Sequence, residues 1–198
     1  MIDFVSDKLT MLIKQNSADI SEEREEVINY GLKIAIYEIV VVLIITTLSI
    51  LLGLFKSMFL FFLVFSSLRF TAGGSHARSR VECFLTYTIA MGGNIYLSKH
   101  IWAESFIPAI GVFLINFLVI LKYAPGDSKE KPILSKKMKK RLKTSSLILT
   151  GLFLSLSLII WQYDKICYNT ILIASFIVTV LLSPLGYKIF RCKRSDCP

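Results

Sequence analysis

Long apolar runs alternate with short polar breaks along most of the chain: Leu32 to Leu52, Leu54 to Leu68, Val81 to Leu97, Ser105 to Leu121, Ser146 to Trp161 and Thr170 to Tyr187. Crossing the hydrocarbon of a bilayer takes about 20 mostly apolar residues in a helix. The pattern therefore predicts an all-α, polytopic membrane fold of about six transmembrane helices. The second run is the weakest, since about 15 residues is short for a full span. Only Gly53 to Lys56 is available for the turn before it. Two forms stay open for it: a short span in a locally thin bilayer, or a re-entrant helix.

Two stretches depart from this pattern. In the N-terminal segment 1–30, Ile2, Val5, Leu9, Leu12 and Ile13 recur on one helical face, which predicts an amphipathic helix lying in the membrane interface. Asp3, Asp7 and Asp19 interrupt the segment, and it lacks the long apolar core of a cleavable secretory signal. Between the fourth and fifth runs, residues 122–145 read as a basic loop, with Pro125 and Pro132 followed by Lys136, Lys137, Lys139, Lys140 and Arg141. With no internal repeat and no second soluble segment, residues 1–198 read as one membrane domain.

Composition agrees with the pattern. Hydrophobic residues make up 54% of the chain and the mean hydropathy is +0.62, above the balance of a soluble domain. The formal charge of +9 allows nucleic-acid binding in principle. Basic residues flanking apolar spans more often record membrane orientation or contact with anionic lipid, so no nucleic-acid partner is expected. Lys and Arg are retained on the cytoplasmic side of short loops. Six spans with both termini cytoplasmic place Arg69, Arg78, Arg80, the 122–145 loop and the C-terminal cations inside, leaving Lys56, Lys99 and Lys165 outside. The expected location is a plasma membrane, crossed several times.

Candidate chemistry concentrates at one inner boundary, in the stretch from Arg69 through Gly73, Gly74, Ser75, His76, Arg78, Ser79, Arg80 and Glu82 to Cys83. A Cys and a His can act as nucleophile and general base if they come within hydrogen-bond reach. On one unbroken helix His76 and Cys83 would stand about 10.5 Å apart along the axis, so a break is required. Gly73 and Gly74 supply backbone freedom for it, and Ser79 with Glu82 has the spacing of a capping box, predicting a new helix from near Ser79. Cys83 would then sit in the first turns of that helix, where unpaired amides favour the thiolate.

Each residue also has a plainer reading. A membrane Cys is usually a small packing residue, and a lone interfacial His usually bonds water or backbone; their proximity to Gly-Gly and to each other shifts both towards catalysis. Glu82 is explained by the capping box, with a second-rank catalytic role as its alternative. Arg69 fits a carboxylate or oxyanion contact and equally the anchoring of a helix end. Ser75 is a weaker rival nucleophile, because its surroundings only begin to match G-x-S-x-G. Glu38, an ionisable residue within the first span, is a functional candidate with an even chance of a purely local ion pair. The only histidines are His76 and His100, on opposite sides in this topology, so neither a metal nor another cofactor is expected.

Arg69, Gly73-Gly74, His76-Ala77 and Cys83, with Ala124-Pro125 and Lys131-Pro132 in the basic loop, resemble the accessory gene regulator protein B (AgrB) family of peptide-processing membrane proteases. The likeness covers most of the chain. It implies a cysteine endopeptidase facing the cytoplasm, with Cys83 as nucleophile and His76 as base. It also implies that Arg69 and Gly74, with Gly73, support activity. The implied substrate is a short signal-peptide precursor with an amphipathic leader and an acidic C-terminal region. The enzyme would remove the tail through an acyl-enzyme thioester and promote thiolactone or lactone closure for quorum sensing. Lys131, Lys136, Lys137, Lys139, Lys140 and Arg141 are the candidate contacts for the acidic tail, and homodimerisation is implied by the family. The rival readings are a small peptide transporter, which leaves the Cys-His cluster unexplained, and a non-catalytic membrane partner in which the Gly-rich segment serves helix packing and the basic loop binds lipid or protein.

Overall fold

The computed structural model describes residues 2–15, 21–75, 80–101, 105–126 and 135–191, apart from the side chains of Ile2, Glu22, Ile34, Glu38, Arg80 and Val81. The described residues form helices and their connections, and the chain divides into two compact units, Met1–Phe55 and Lys56–Pro198.

The first unit is a helical hairpin. Helix α1 (Ile2–Gln15) runs antiparallel to the start of α2 (Glu22–Leu51), since Lys14 meets Glu25 at 2.6 Å and Asp3 meets Lys33 at 3.0 Å. The Asn29 amide donates to Asp7 at 2.8 Å. Ser6 and Thr10 are buried, whereas Phe4, Met11 and Leu12 are exposed. The expected amphipathic helix is present, with its polar side facing α2. Helix α2 begins ten residues before the predicted span Leu32 to Leu52. Its first turns are charged and carry the partners of α1, and Glu and Arg are good helix formers. Its end is a Schellman turn: Gly53 has φ +65°, its N–H donates to Ile50 O, and the Leu54 N–H donates to Ser49 O at 2.7 Å.

The second unit contains α3 (Phe55–Ala72, from the boundary onwards), α4 (Arg80–His100), α5 (Ile107–Tyr123), α6 (Lys136–Ile160), α7 (Lys165–Leu182) and the short α8 (Pro184–Ile189). Helix α7 is central and packs on α4, α5, α6 and α8. Its Tyr168, Ile171, Ala174 and Val178 form one core with Phe61, Val64 and Leu68 of α3, Phe113 of α5 and Phe153 of α6. Buried amides tie the helices further. Asn169 donates to Ser98 O and Ile101 O at 3.1 and 2.7 Å, Asn94 donates to Thr170 O at 3.1 Å, and the Thr179 hydroxyl bonds to Asn116. Such bonds between helices in a membrane contribute about 0.6–2 kcal/mol each.

Each predicted apolar run falls on helical residues, the third on α4 and the last on both α7 and α8. Four helices among the described residues, α2, α3, α6 and α7, are long and apolar enough to cross a membrane, and α5 is apolar but shorter. The second run forms an 18-residue helix, longer than the expected Leu54 to Leu68, because Arg69 to Ala72 continue it. Two boundaries need correction. The last run does not continue to Tyr187: α7 stops at Leu182, and Pro184, which has no N–H to donate, starts α8. The basic loop does not extend from 122 to 145, because α5 continues to Tyr123 and α6 starts at Lys136. Ser135 caps α6 by accepting from the Met138 N–H at 3.4 Å, and the Lys, Arg, Met and Leu that follow are strong helix formers.

Candidate active site

Helices α3 and α4 touch through aromatic side chains. The Tyr87 ring is 5.8 Å from Phe61 and 5.7 Å from Phe65, centroid to centroid. Tyr87 follows Cys83 by one helical turn, so these contacts also fix the helix that carries the thiol. The chain must reverse between the two helices, and it does so beyond Ala72, where Gly73 has φ +73° and Gly74 φ +123°. Only glycine adopts both conformations readily.

Space is as restrictive as backbone angle. A Cβ on Gly73 would meet the Gly126 backbone within 3.0 Å, and one on Gly74 would meet Leu181 O at 2.9 Å. Gly126, in the α5–α6 connection, forms a short parallel bridge with Gly73. Its N–H donates to Ala72 O at 2.7 Å, and its carbonyl accepts from the Gly74 N–H at 3.1 Å. Gly126 has no room for a side chain either, with the Gly74 N and the Tyr187 hydroxyl each 2.7 Å from the position of a Cβ.

Arg69, in the last turn of α3, locks the reversal. Its Nη1 donates to Gly73 O at 2.8 Å, and its Nη2 donates to Ser75 O. A cation at a helix C-terminus also complements the helix dipole. Ser75 completes the anchor: its N–H and its Oγ both donate to Leu181 O of α7 at 3.0 Å. The Ser75 hydroxyl is thus buried and engaged, which removes the rival nucleophile. The anchored segment ends one residue before His76.

His76 and Ser79 lie outside the described residues, and so do their expected approach to the thiol and the capping box. The required break is present: α3 ends at Ala72, α4 starts at Arg80, and Cys83 is the fourth residue of α4 and exposed. Glu82 is exposed beside it. His100 is at the opposite end of α4, about 25 Å along the axis from Cys83, with its ring on the Tyr96 carbonyl at 2.8 Å.

The remaining candidates fall in three places. Glu38 is in α2, in the first unit. Lys131 lies outside the described residues. Lys136, Lys137, Lys139, Lys140 and Arg141 occupy the first two turns of α6, at the same end of the second unit as the Gly73–Gly126 bridge, because Lys143 donates to Leu121 O at 2.6 Å. At the other end, Asp164 caps α7 by accepting from the Cys167 N–H at 3.0 Å and pairs with Lys56 of α3 at 2.5 Å. Burial pushes the Asp164 carboxyl up, but Lys56 and the Cys167 amide outweigh it and hold the group at about 2.

Sequence reasoning passed over Gly126, Leu181 and Tyr187. The available signal was the Pro125-Gly126 dipeptide, a turn former, in a loop read mainly for its charge.

Comparison with known proteins gives a consistent result. The family profile described as Accessory gene regulator B matches residues 6–182. An AgrB-like protein of Clostridium acetobutylicum is 24% identical over 189 residues, covering 96% of this chain and 87% of the relative. A second AgrB-like protein, from Clostridium perfringens, is 31% identical over 151 residues, covering 72% and 71%. The accessory gene regulator protein B of Staphylococcus intermedius is 24% identical over 184 residues, covering 92% and 96%. No solved structure matches significantly.

Proposed function

This chain belongs to the accessory gene regulator B family, and on that premise we propose that it is a membrane-embedded cysteine endopeptidase that trims a short signal-peptide precursor and promotes its cyclisation. What supports this reading is an exposed thiol at the start of a helix, directly after a glycine break whose anchored end leads into His76. Of the two histidines in the chain, His100 is a whole helix away from Cys83, and the family resemblance gives His76 the role of base in this reading.

The chemistry follows from these groups. His76 accepts the thiol proton, and Cys83 Sγ attacks the scissile carbonyl. The tetrahedral intermediate collapses as the leaving amine takes the proton back from His76, leaving an acyl thioester on Cys83. A thiol or hydroxyl within the bound peptide then attacks that thioester and gives its proton to His76, closing a thiolactone or lactone and returning the Cys83 thiolate. No cofactor enters. Arg69, Gly73 and Gly74 act by holding the loop, and Glu82 and Glu38 are second-rank candidates.

The amphipathic leader of the precursor lies in the interface, and the Lys131 and Lys136–Arg141 cations attract its acidic tail. The basic end of the second unit supports a cytoplasmic site with both termini inside, in the plasma membrane. Homodimerisation rests on the family resemblance alone.

The test is reconstitution in lipid with the cognate precursor, followed by mass spectrometry of the products. Cys83→Ala and His76→Ala are each expected to lose cleavage, with helicity by circular dichroism unchanged. Cleavage that persists in Cys83→Ala would rule out the thiol mechanism.

A further inference from the structure

An apolar groove of about 210 Å³ runs between α5 and α6, with Ile110, Leu114 and Phe117 on one wall and Gly151 and Leu154 on the other. The three α5 side chains are between two-fifths and three-fifths exposed, so the groove opens sideways, away from the core. Gly151 keeps it wide, since no atom lies within 4 Å of the place a Cβ would take. Glycine is a poor residue inside a helix, and here its effect is to leave space.

One stripe of α6 connects this groove to the basic end of the unit. Steps of four and three residues keep side chains on one helical face. They lead from Lys136 through Lys140 and Lys143 to Leu147, Thr150 and Leu154. Lys143 bridges to the end of α5 through Leu121 O, at the head of the groove. Lys137 and Arg141 are turned away from the stripe by about 100° or more.

Among the described residues, no carboxylate forms an ion pair with Lys136, Lys140 or Lys143. Lys136 also stands in the first turn of a helix, where the dipole already favours anions. From Lys143 to Leu154 the stripe descends about 16 Å, from a cationic head into an apolar trough. That sequence of chemistry suits a phosphate group joined to a long hydrocarbon chain.

We propose that the α5–α6 groove binds an anionic phospholipid, its phosphate on Lys136 and Lys140 beside Lys143 and one acyl chain in the trough past Gly151. The assignment divides the basic cluster that the peptidase reading gives wholly to the acidic tail, leaving Lys137 and Arg141 for that tail. It does not depend on the peptidase reading.

Native mass spectrometry of the full-length protein, released from detergent holding equal amounts of phosphatidylglycerol and phosphatidylcholine, tests it. One phosphatidylglycerol is expected to stay bound in preference to phosphatidylcholine. Lys136→Gln with Lys140→Gln should lower its retention about tenfold, while Lys137→Gln with Arg141→Gln should leave it nearly unchanged. Gly151→Leu should abolish it by filling the trough. Equal losses in the two charge pairs would mean diffuse attraction and overturn the site. Equal retention of both lipids, or retention unchanged in Gly151→Leu, would overturn it as well. A dimer that forms without lipid and is lost in Gly151→Leu would assign the groove to a second copy instead.

Discussion

Arg69 reaches two carbonyls of the chain reversal at once, those of Gly73 and Ser75. A planar fork does this and a single ammonium does not. Arg69→Lys is expected to destabilise the protein by about 1.5–3 kcal/mol and to slow cleavage more than tenfold, read from melting in detergent and from single-turnover kinetics. An unchanged rate would show that the clamp does not position the site. Gly126→Ala should be destabilised by about 1–3 kcal/mol through overpacking against Gly74 and Tyr187, measured the same way. The sequence carried the reactive stretch from Arg69 to Cys83 openly, because unlike residue types cluster there. It left the work of Arg69 undecided, since its carbonyl partners approach only once Gly73 and Gly74 take positive φ. Gly126 was silent for a related reason: its contacts come from distant parts of the chain.

The helices themselves were legible because runs of apolar residues are hard to read otherwise in a lipid-exposed chain. Their ends were less so. The cations from Lys136 to Arg141 look like loop by charge yet are helix by propensity, and Ser135 settles the start. The apolar run through Pro184 concealed the end of α7. At the other end of α7, Asp164 joins its helix cap to Lys56 of α3, and this junction responds to acid. Its carboxyl titrates at about 2 in the fold against an ordinary value of 3.8. The stabilisation is therefore complete above the ordinary value and is lost as pH falls through the folded one. The melting temperature of the wild type should drop more steeply between about pH 4 and pH 2 than that of Asp164→Asn. Parallel curves would remove Asp164 from the account.

Across the second unit the cations divide by end. Arg69, Lys122, Lys136 to Lys143, Lys188 and Arg191 are at the end of the Gly73–Gly126 bridge, and Lys56, Lys99 and Lys165 are at the other. By the positive-inside rule, a cysteine introduced in place of Lys137, in a background lacking the native thiols, should label only from the cytoplasmic side. Labelling from outside would invert the proposed orientation. The bridge itself has a mechanical meaning. Ala72, Gly74 and Gly126 share backbone bonds, and Ser75 is pinned to Leu181, so the start of the α5–α6 connection and the residue before His76 form one joint. Any displacement of that connection is therefore passed to the residue before His76 through main chain alone.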